Sequence, residues 1–432
     1  MKDIQLRFDQ DTLPVAQPAV RHLIATLLAP DPVAKTQAPL PLDLGIVLDV
    51  SSSMRGAPLE AAKQAAMGVV NSLNPEDRLT LVAFEDDVHV ICETTAMDSV
   101  GQSVATEMIA GLPIGGCTNL SGGWLAAGSL VAAEAALNPG RRSHLVVLSD
   151  GAANRGIVDP SILSEEAAGL LSRGVPTTCV GIGDHYCTDQ LEAIADHGGG
   201  RLHDAETPDE IVEVLMGELG DLSELTAERV TLGVTLPVGV TALDLAGGPT
   251  SREGRTLICQ VGSLRSGVER KVVLRVEVEA SVPDDSLEVT VQVRWTAPGG
   301  SSRQRVKHAV RLKRSEASAA SALDADALTV GVAWQAGIVR QVTMLNRGAA
   351  YHEIGALHER EMPRLRSYAD QHPVIAKVLE RVNRLFHRAM RPIAERSRKE
   401  MKILSMKGAR AERDHRRRGR GKWDDYLGDS QV

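Results

Sequence analysis

Between residues 42 and 220 the chain alternates short apolar runs with amphipathic segments. The runs are Leu42–Asp49, Arg78–Phe84, Ser143–Asp150, Pro176–Gly183 and a weaker Gly200–Glu206. Each is bounded by turn residues and most are dense in Val, Leu and Ile, the pattern of strands buried on both faces. Helical spacing fills the intervals. Leu59, Ala62, Ala66, Val69, Val70 and Leu73 share one helical face. Pro58 suits the first turn of that helix, and Asn74-Pro75 ends it. Leu120–Leu137, Pro160–Arg173, Asp189–His197 and Pro208–Leu219 read as further helices. The alternation predicts an α/β, Rossmann-like domain over 42–220: a mostly parallel, doubly wound sheet.

The period changes near residue 222. Arg229–Leu236, Thr256–Val261, Arg270–Val278, Ser286–Thr296 and Arg303–Leu312 alternate apolar and polar positions. Turns such as Pro283-Asp284-Asp285 and Pro298-Gly299-Gly300 separate them. This predicts a half-exposed antiparallel β-sandwich over 222–315. Residues 1–41 hold two more short strands, Ile4–Phe8 and His22–Leu28, then a Pro- and Ala-rich linker. These strands are expected to join the sandwich, making the α/β domain an insertion. A helical region is expected over 322–415. Residues 416–432 form a basic tail, expected to be partly disordered.

Composition narrows the function classes. Aromatic residues make up only 3% of the chain, which argues against a base-stacking surface. The net charge is −8, yet Arg and Lys dominate 391–422. Arg396, Arg398, Lys399, Lys402, Arg410, Arg413, Arg416, Arg417, Arg418, Arg420 and Lys422 suit a solvated tail. The same charge also fits an acidic protein partner, nucleic acid or an anionic membrane. Cys92, Cys117, Cys179, Cys187 and Cys259 are scattered, with no C-x-x-C pair. Reduced thiols, no signal-like N-terminus and no run of about 18 apolar residues lead to the expectation of a cytoplasmic protein.

One constellation carries chemistry. The first strand ends in Asp49-Val50-Ser51-Ser52-Ser53-Met54, a D-x-S-x-S motif. The Gly115-Gly116-Cys117-Thr118-Asn119 turn places Thr118 at the start of a helix. Asp150 ends the third run, in Leu148-Ser149-Asp150-Gly151. All three pieces fall at carboxyl ends of strands, where open α/β sheets bind ligands. Asp49, Ser51, Ser53, Thr118 and Asp150 offer only hard oxygen donors, which suit Mg2+ or Mn2+. D-x-S-x-S by itself is also a common helix-capping turn. Met54, Asn119, Asn154, Arg155 and His185 flank the three pieces as a candidate partner-binding rim.

The ordered set resembles the metal-ion-dependent adhesion site (MIDAS) of von Willebrand factor A domains, over residues 42–220. The stretches LSDGAANRGIVDP and GVPTTCVGIGDHYCTDQLEAIADHGGGRLHDAETPDEI resemble the bacterial intracellular branch of that family. The resemblance implies that Ser51 and Ser53 ligate the ion directly. It implies that Thr118 alternates between direct and water-mediated ligation, and that Asp49 and Asp150 act mainly through water. It further implies a non-enzymatic scaffold whose metal is completed by an Asp or Glu of a partner protein. In some relatives the domain works beside a MoxR- or chelatase-type AAA+ ATPase.

Other features are weaker. His185, Cys187, His197 and His203 lie close in sequence but fit no standard zinc spacing. Gly181-Ile182-Gly183 lacks a dinucleotide fingerprint, and no Walker loop occurs. The Gly151–Gly156 loop is either a flexible connection or a partner contact. Cys117 has no obvious base beside it and reads as a turn residue as readily as a reactive thiol.

Overall fold

The computed structural model describes residues 1–31, 40–183, 185–280, 286–300, 302–316 and 322–410. Most of the Pro- and Ala-rich linker, the Pro283–Asp285 turn and the basic stretch from Arg413 onward lie outside the described residues.

The α/β sheet has six strands in the order Val88–Ala96, Arg78–Phe84, Leu42–Asp49, Arg142–Ser149, Thr177–Ile182, Gly199–Ala205. All neighbours are parallel except the first pair. Every residue of Leu42–Asp49 is buried, as the unbroken apolar run demands. The antiparallel edge strand Val88–Ala96 and the helix Ser99–Ala110 were not predicted. The edge strand is only half-buried and mixes His, Glu and Thr with its apolar residues. The helix is rich in weak formers and is held by Asp98, whose carboxylate accepts the Val100 and Gly101 amides. Leu120–Leu137 is apolar and long enough to cross a membrane. Here its Trp124, Ala127 and Val131 are fully buried in the domain core.

Two antiparallel sheets form the sandwich. One orders Asp3–Phe8, Ala19–Leu28, Glu269–Val278 and Val240–Asp244. The other orders Thr250–Glu253, Thr256–Arg265, Leu225–Thr235, Ser286–Thr296 and Arg303–Ser315, with Thr12–Pro14 pairing parallel to the last. N-terminal strands therefore pair with strands beyond residue 225, and the α/β unit is inserted between them. Ala19–Leu28 reads as apolar because both of its faces are covered. Leu23, Ala25 and Leu27 enter the sandwich core, while Ile24 packs against the C-terminal helices. Those helices are Asp324–Arg347, Tyr351–Gln371, Ala376–Ala389 and Glu395–Arg410.

At the junction of the α/β sheet and the sandwich, His144 is buried against Thr178 and Glu218. Its Nε2 lies 3.1 Å from Thr178 Oγ1, and its Nδ1 has no hydrogen-bond partner. Burial pushes its pKa down to about 4, against the pull of Glu218. The unfolded chain would bind this proton near 6.5. This contribution is therefore neutral above about pH 6.5, and destabilises the fold as pH falls toward about 4. The full effect is about 3 kcal/mol. His144→Gln should flatten the loss of stability across this window, as read by urea unfolding at about pH 7 and about pH 5. An unchanged slope would contradict the assignment.

Candidate metal site

Two loops leave the carboxyl ends of the neighbouring strands Leu42–Asp49 and Arg142–Ser149; the third, which joins the helices Ser99–Ala110 and Leu120–Leu137 and does not follow a strand as expected, meets them over the sheet. Asp49 ends the central strand and is wholly buried. Its Oδ1 accepts the Ser51 amide at 2.9 Å and its Oδ2 accepts the Ser149 hydroxyl at 2.6 Å. These bonds fix the turn in which Ser51 and Ser53 stand with their Oγ atoms 3.0 Å apart. Ser53 in turn donates to Asp150 Oδ1 at 2.6 Å.

Thr118 arrives from the Gly-rich turn. Its amide donates to Asn154 Oδ1 at 3.0 Å, and its carbonyl accepts the Asn154 and Arg155 amides. Gly116 needs its glycine: φ is +69°, and a Cβ there would overlap the Glu85 carboxylate. A Cβ built on Gly151 would lie 3.2 Å from Thr118 Oγ1 and 3.4 Å from Ser53 Oγ. The hydroxyls of Thr118 and Ser53 thus border the same small residue after Asp150.

Burial raises the Asp49 pKa to about 6, opposed by the Ser149 and Ser51 hydrogen bonds and reinforced by the charge of Asp150. Burial also raises Asp150, opposed by Ser53 and by His185. Two buried carboxylates in one hydrogen-bonded set favour a cation between them. The donor set fits one ion class. Magnesium–oxygen bonds of about 2.1 Å at right angles place adjacent ligand oxygens about 3.0 Å apart. The 3.0 Å separation of the Ser51 and Ser53 hydroxyls matches that spacing, while Asp150 is joined to Ser53 by a direct hydrogen bond. Among the described residues, no group of three or more His, Cys, Asp or Glu is arranged to hold a metal. The zinc candidates disperse: His203 binds Glu218, His197 meets the Ala193 carbonyl, and Cys187 faces Arg347.

Residues 43–216 match the family model of the von Willebrand factor type A domain. This segment is a von Willebrand factor type A domain. A structure titled von Willebrand factor type A from Catenulispora acidiphila superposes with a TM-score of 0.68 at 19% identity, covering 93% of this chain and 96% of that one. The ArnB paralog VWA2 of Sulfolobus acidocaldarius gives a TM-score of 0.56 at 15% identity, over 94% and 98% of the two chains. At these identities the likeness is one of fold. An uncharacterized Synechocystis protein is 29% identical over 269 residues, 60% of this chain and 62% of that protein. Human inter-alpha-trypsin inhibitor heavy chain H3 is 28% identical over 168 residues, 38% of this chain and 19% of its own. The matches thus span less than two thirds of these relatives' length. The A-type domain is a protein-interaction module, often metal-dependent.

Around the A-domain site, the expected rim residues divide. Arg155 is exposed and paired with Asp86 at 2.5 Å, and His185 is exposed. Asn119 and Asn154 also brace the loops: Asn119, half-buried, caps its helix through the Gly122 amide, and Asn154, exposed, accepts the Thr118 amide. Met54 does not belong to the rim. The short 3-10 turn Ser52–Met54 rotates its side chain into the core, where it is fully buried. Sequence reasoning missed Ser149, which orients Asp49, and Gln190, which ties the 151–158 loop by bonds to Ala153 and Val158. The Asp150-adjacent position of Ser149 was the available signal. Gln190 had none, because its partner loop is distant in sequence.

The basic helix corrects a second expectation. Arg396, Arg398, Lys399 and Lys402 are not part of a solvated tail. They lie in Glu395–Arg410, docked on the A domain. Lys402 meets Asp189 at 2.7 Å and also Glu192; Arg347 meets Asp189 at 2.5 Å; Arg340 meets Glu192 at 3.0 Å and Asp196 at 2.5 Å. Lys399 Nζ sits 3.6 Å over the ring of buried Tyr186. Burial works against the Lys402 charge, but Glu192 and Asp189 outweigh it and raise its pKa. This clamp grips the helix Thr188–His197, directly after the turn bearing His185. Lys402→Ala leaves Asp189 and Glu192 short of a buried cation and should cost about 3 kcal/mol. Lys2→Ala, in an exposed pair with Asp31, should cost under about 1 kcal/mol. Urea unfolding of the two variants checks this; equal costs would remove the clamp.

Proposed function

We propose that this chain is a non-enzymatic protein-interaction module whose A domain binds Mg2+, or Mn2+, at a MIDAS. The convergence of Asp49, Ser51, Ser53 and Asp150 in one hydrogen-bonded set, with the Thr118 hydroxyl beside them at Gly151, carries the reading. In it Ser51, Ser53 and Thr118 supply hydroxyl ligands, and Asp49 and Asp150 supply charge and orient water. A bound ion would supply a Lewis-acidic coordination position for an Asp or Glu of a partner protein. Arg155 and His185, exposed beside it, favour an acidic partner surface.

The docking of Arg396–Lys402 weighs against a nucleic-acid role for that stretch, since Arg396, Arg398 and Lys402 already face carboxylates.

Mg2+ or Mn2+ should raise the unfolding temperature of the wild-type chain and leave Asp49→Ala unmoved. A partner captured in Mg2+ should be released by chelator and should not be retained by Asp49→Ala. Capture that persists through both treatments would overturn the metal-dependent mechanism.

A further inference from the structure

The sandwich strand Arg303–Ser315 is an open edge for most of its length. Ser286–Thr296 pairs along one side of it. On the other side Thr12–Pro14 pairs only with residues 313–315. Among the described residues, no strand covers 303–312 on that side. An uncovered edge presents backbone amides and carbonyls that can pair with another chain. The 297–300 turn leading into it packs against Gly140 and Arg141, just before the A-domain strand Arg142–Ser149. The edge therefore starts near the amino end of that strand, opposite the metal loops.

The strand alternates as a half-covered strand should. Val306 and Leu312 pack on the sandwich core. Arg303, Arg305, Lys307 and Arg311 share the outer face, and all are exposed. At about 3.4 Å per residue the row spans about 27 Å. Cations on an edge are a common guard against pairing with a second copy. A guard alone does not explain the next strand in. Arg294 stands directly opposite Arg305, and like charges so placed are destabilising. Its Nε donates to the neutral Gln292 side chain at 2.7 Å. Burial, Arg294 and Arg229 lower the Arg303 pKa, against a weaker pull from Glu253. Arg229 is itself occupied by the Thr296 hydroxyl, the Gly300 carbonyl and the charge of Glu228. Arg311 meets Glu288 at 2.5 Å. Arg294, Arg303, Arg305 and Lys307 form no ion pair among the described residues. Uncompensated positive charge thus collects beside an open backbone edge, on a chain whose net charge is −8.

We infer that the 303–312 edge docks an extended acidic segment of a partner protein, added as a further strand with Asp or Glu at alternate positions facing the cation row. Backbone pairing would supply affinity, and the alternating carboxylates would supply selectivity. The same row repels a second copy of this edge. Trp295, the one Trp, Tyr or Phe of the two strands, faces the core, so the outer face lacks a platform for stacking bases. The inference does not rest on the metal site.

Fluorescence anisotropy of the full chain with a labelled peptide of about ten residues, alternating Glu and Thr, tests this. Chelator is present throughout, so that no Glu is held by a metal at the A-domain loops. The peptide should bind saturably, and its Gln-for-Glu counterpart should bind about ten-fold or more weakly. Arg305→Glu combined with Lys307→Glu should weaken the acidic peptide about ten-fold or more, while Asp49→Ala should leave it unchanged. Circular dichroism of the variants separates lost contacts from lost fold. In the wild-type chain, bound peptide should slow hydrogen exchange at amides within 303–312. Absence of binding, equal binding of the neutral peptide, or indifference to the double reversal would overturn the inference. Unchanged exchange over 303–312 would overturn it too, leaving a charged patch with no added strand. Tighter binding of a single-stranded oligothymidylate of about ten nucleotides would make the row a nucleic-acid surface instead.

Discussion

Two carboxylates, Asp49 and Asp150, are buried at the carboxyl edge of one parallel sheet, and the site depends on how their charge is answered. Water reaches neither freely, so burial raises both pKa values. Among the described residues, hydroxyls and backbone amides are their direct partners, with Ser51, Ser53 and Ser149 foremost. Hydroxyls orient a carboxylate without neutralising it. A hard divalent cation would complete that balance. The strand order makes the meeting possible. Leu42–Asp49 lies between Arg78–Phe84 and Arg142–Ser149, so the turns bearing Asp49 and Asp150 open side by side.

The rest of the architecture holds this edge in place. Asn154 grips Thr118, Gln190 grips the loop after Asp150, and the Thr188–His197 helix that carries Gln190 is itself held by Arg340, Arg347 and Lys402. The C-terminal helices are thus connected to the site by buried ion pairs through one intervening helix. Those same helices cover the outer face of the N-terminal sheet. A single helical layer therefore touches both the A domain and the sandwich, and the domains share packing as well as chain.

Much of this was legible in the sequence because it is local. Asp49, Ser51 and Ser53 occupy one turn, and their spacing alone states a donor pattern. The core strands declare themselves by unbroken Val, Leu and Ile. What escaped was long-range or weakly patterned. Val88–Ala96 mixes polar residues because one edge faces solvent. Met54 follows Ser53 in sequence, but the 3-10 turn points it inward. Lys402 looked like part of a basic tail because its counter-charges lie far back, 213 residues away at Asp189. No period or spacing reports such a pairing.

The most direct test of the central claim is electron paramagnetic resonance of the full chain titrated with Mn2+. The account predicts one bound, near-octahedral Mn2+ per chain, lost in Asp150→Ala, with fewer bound waters once an acidic peptide is added. A spectrum of free aquo Mn2+ throughout the titration, or a bound ion that Asp150→Ala leaves in place, would contradict it.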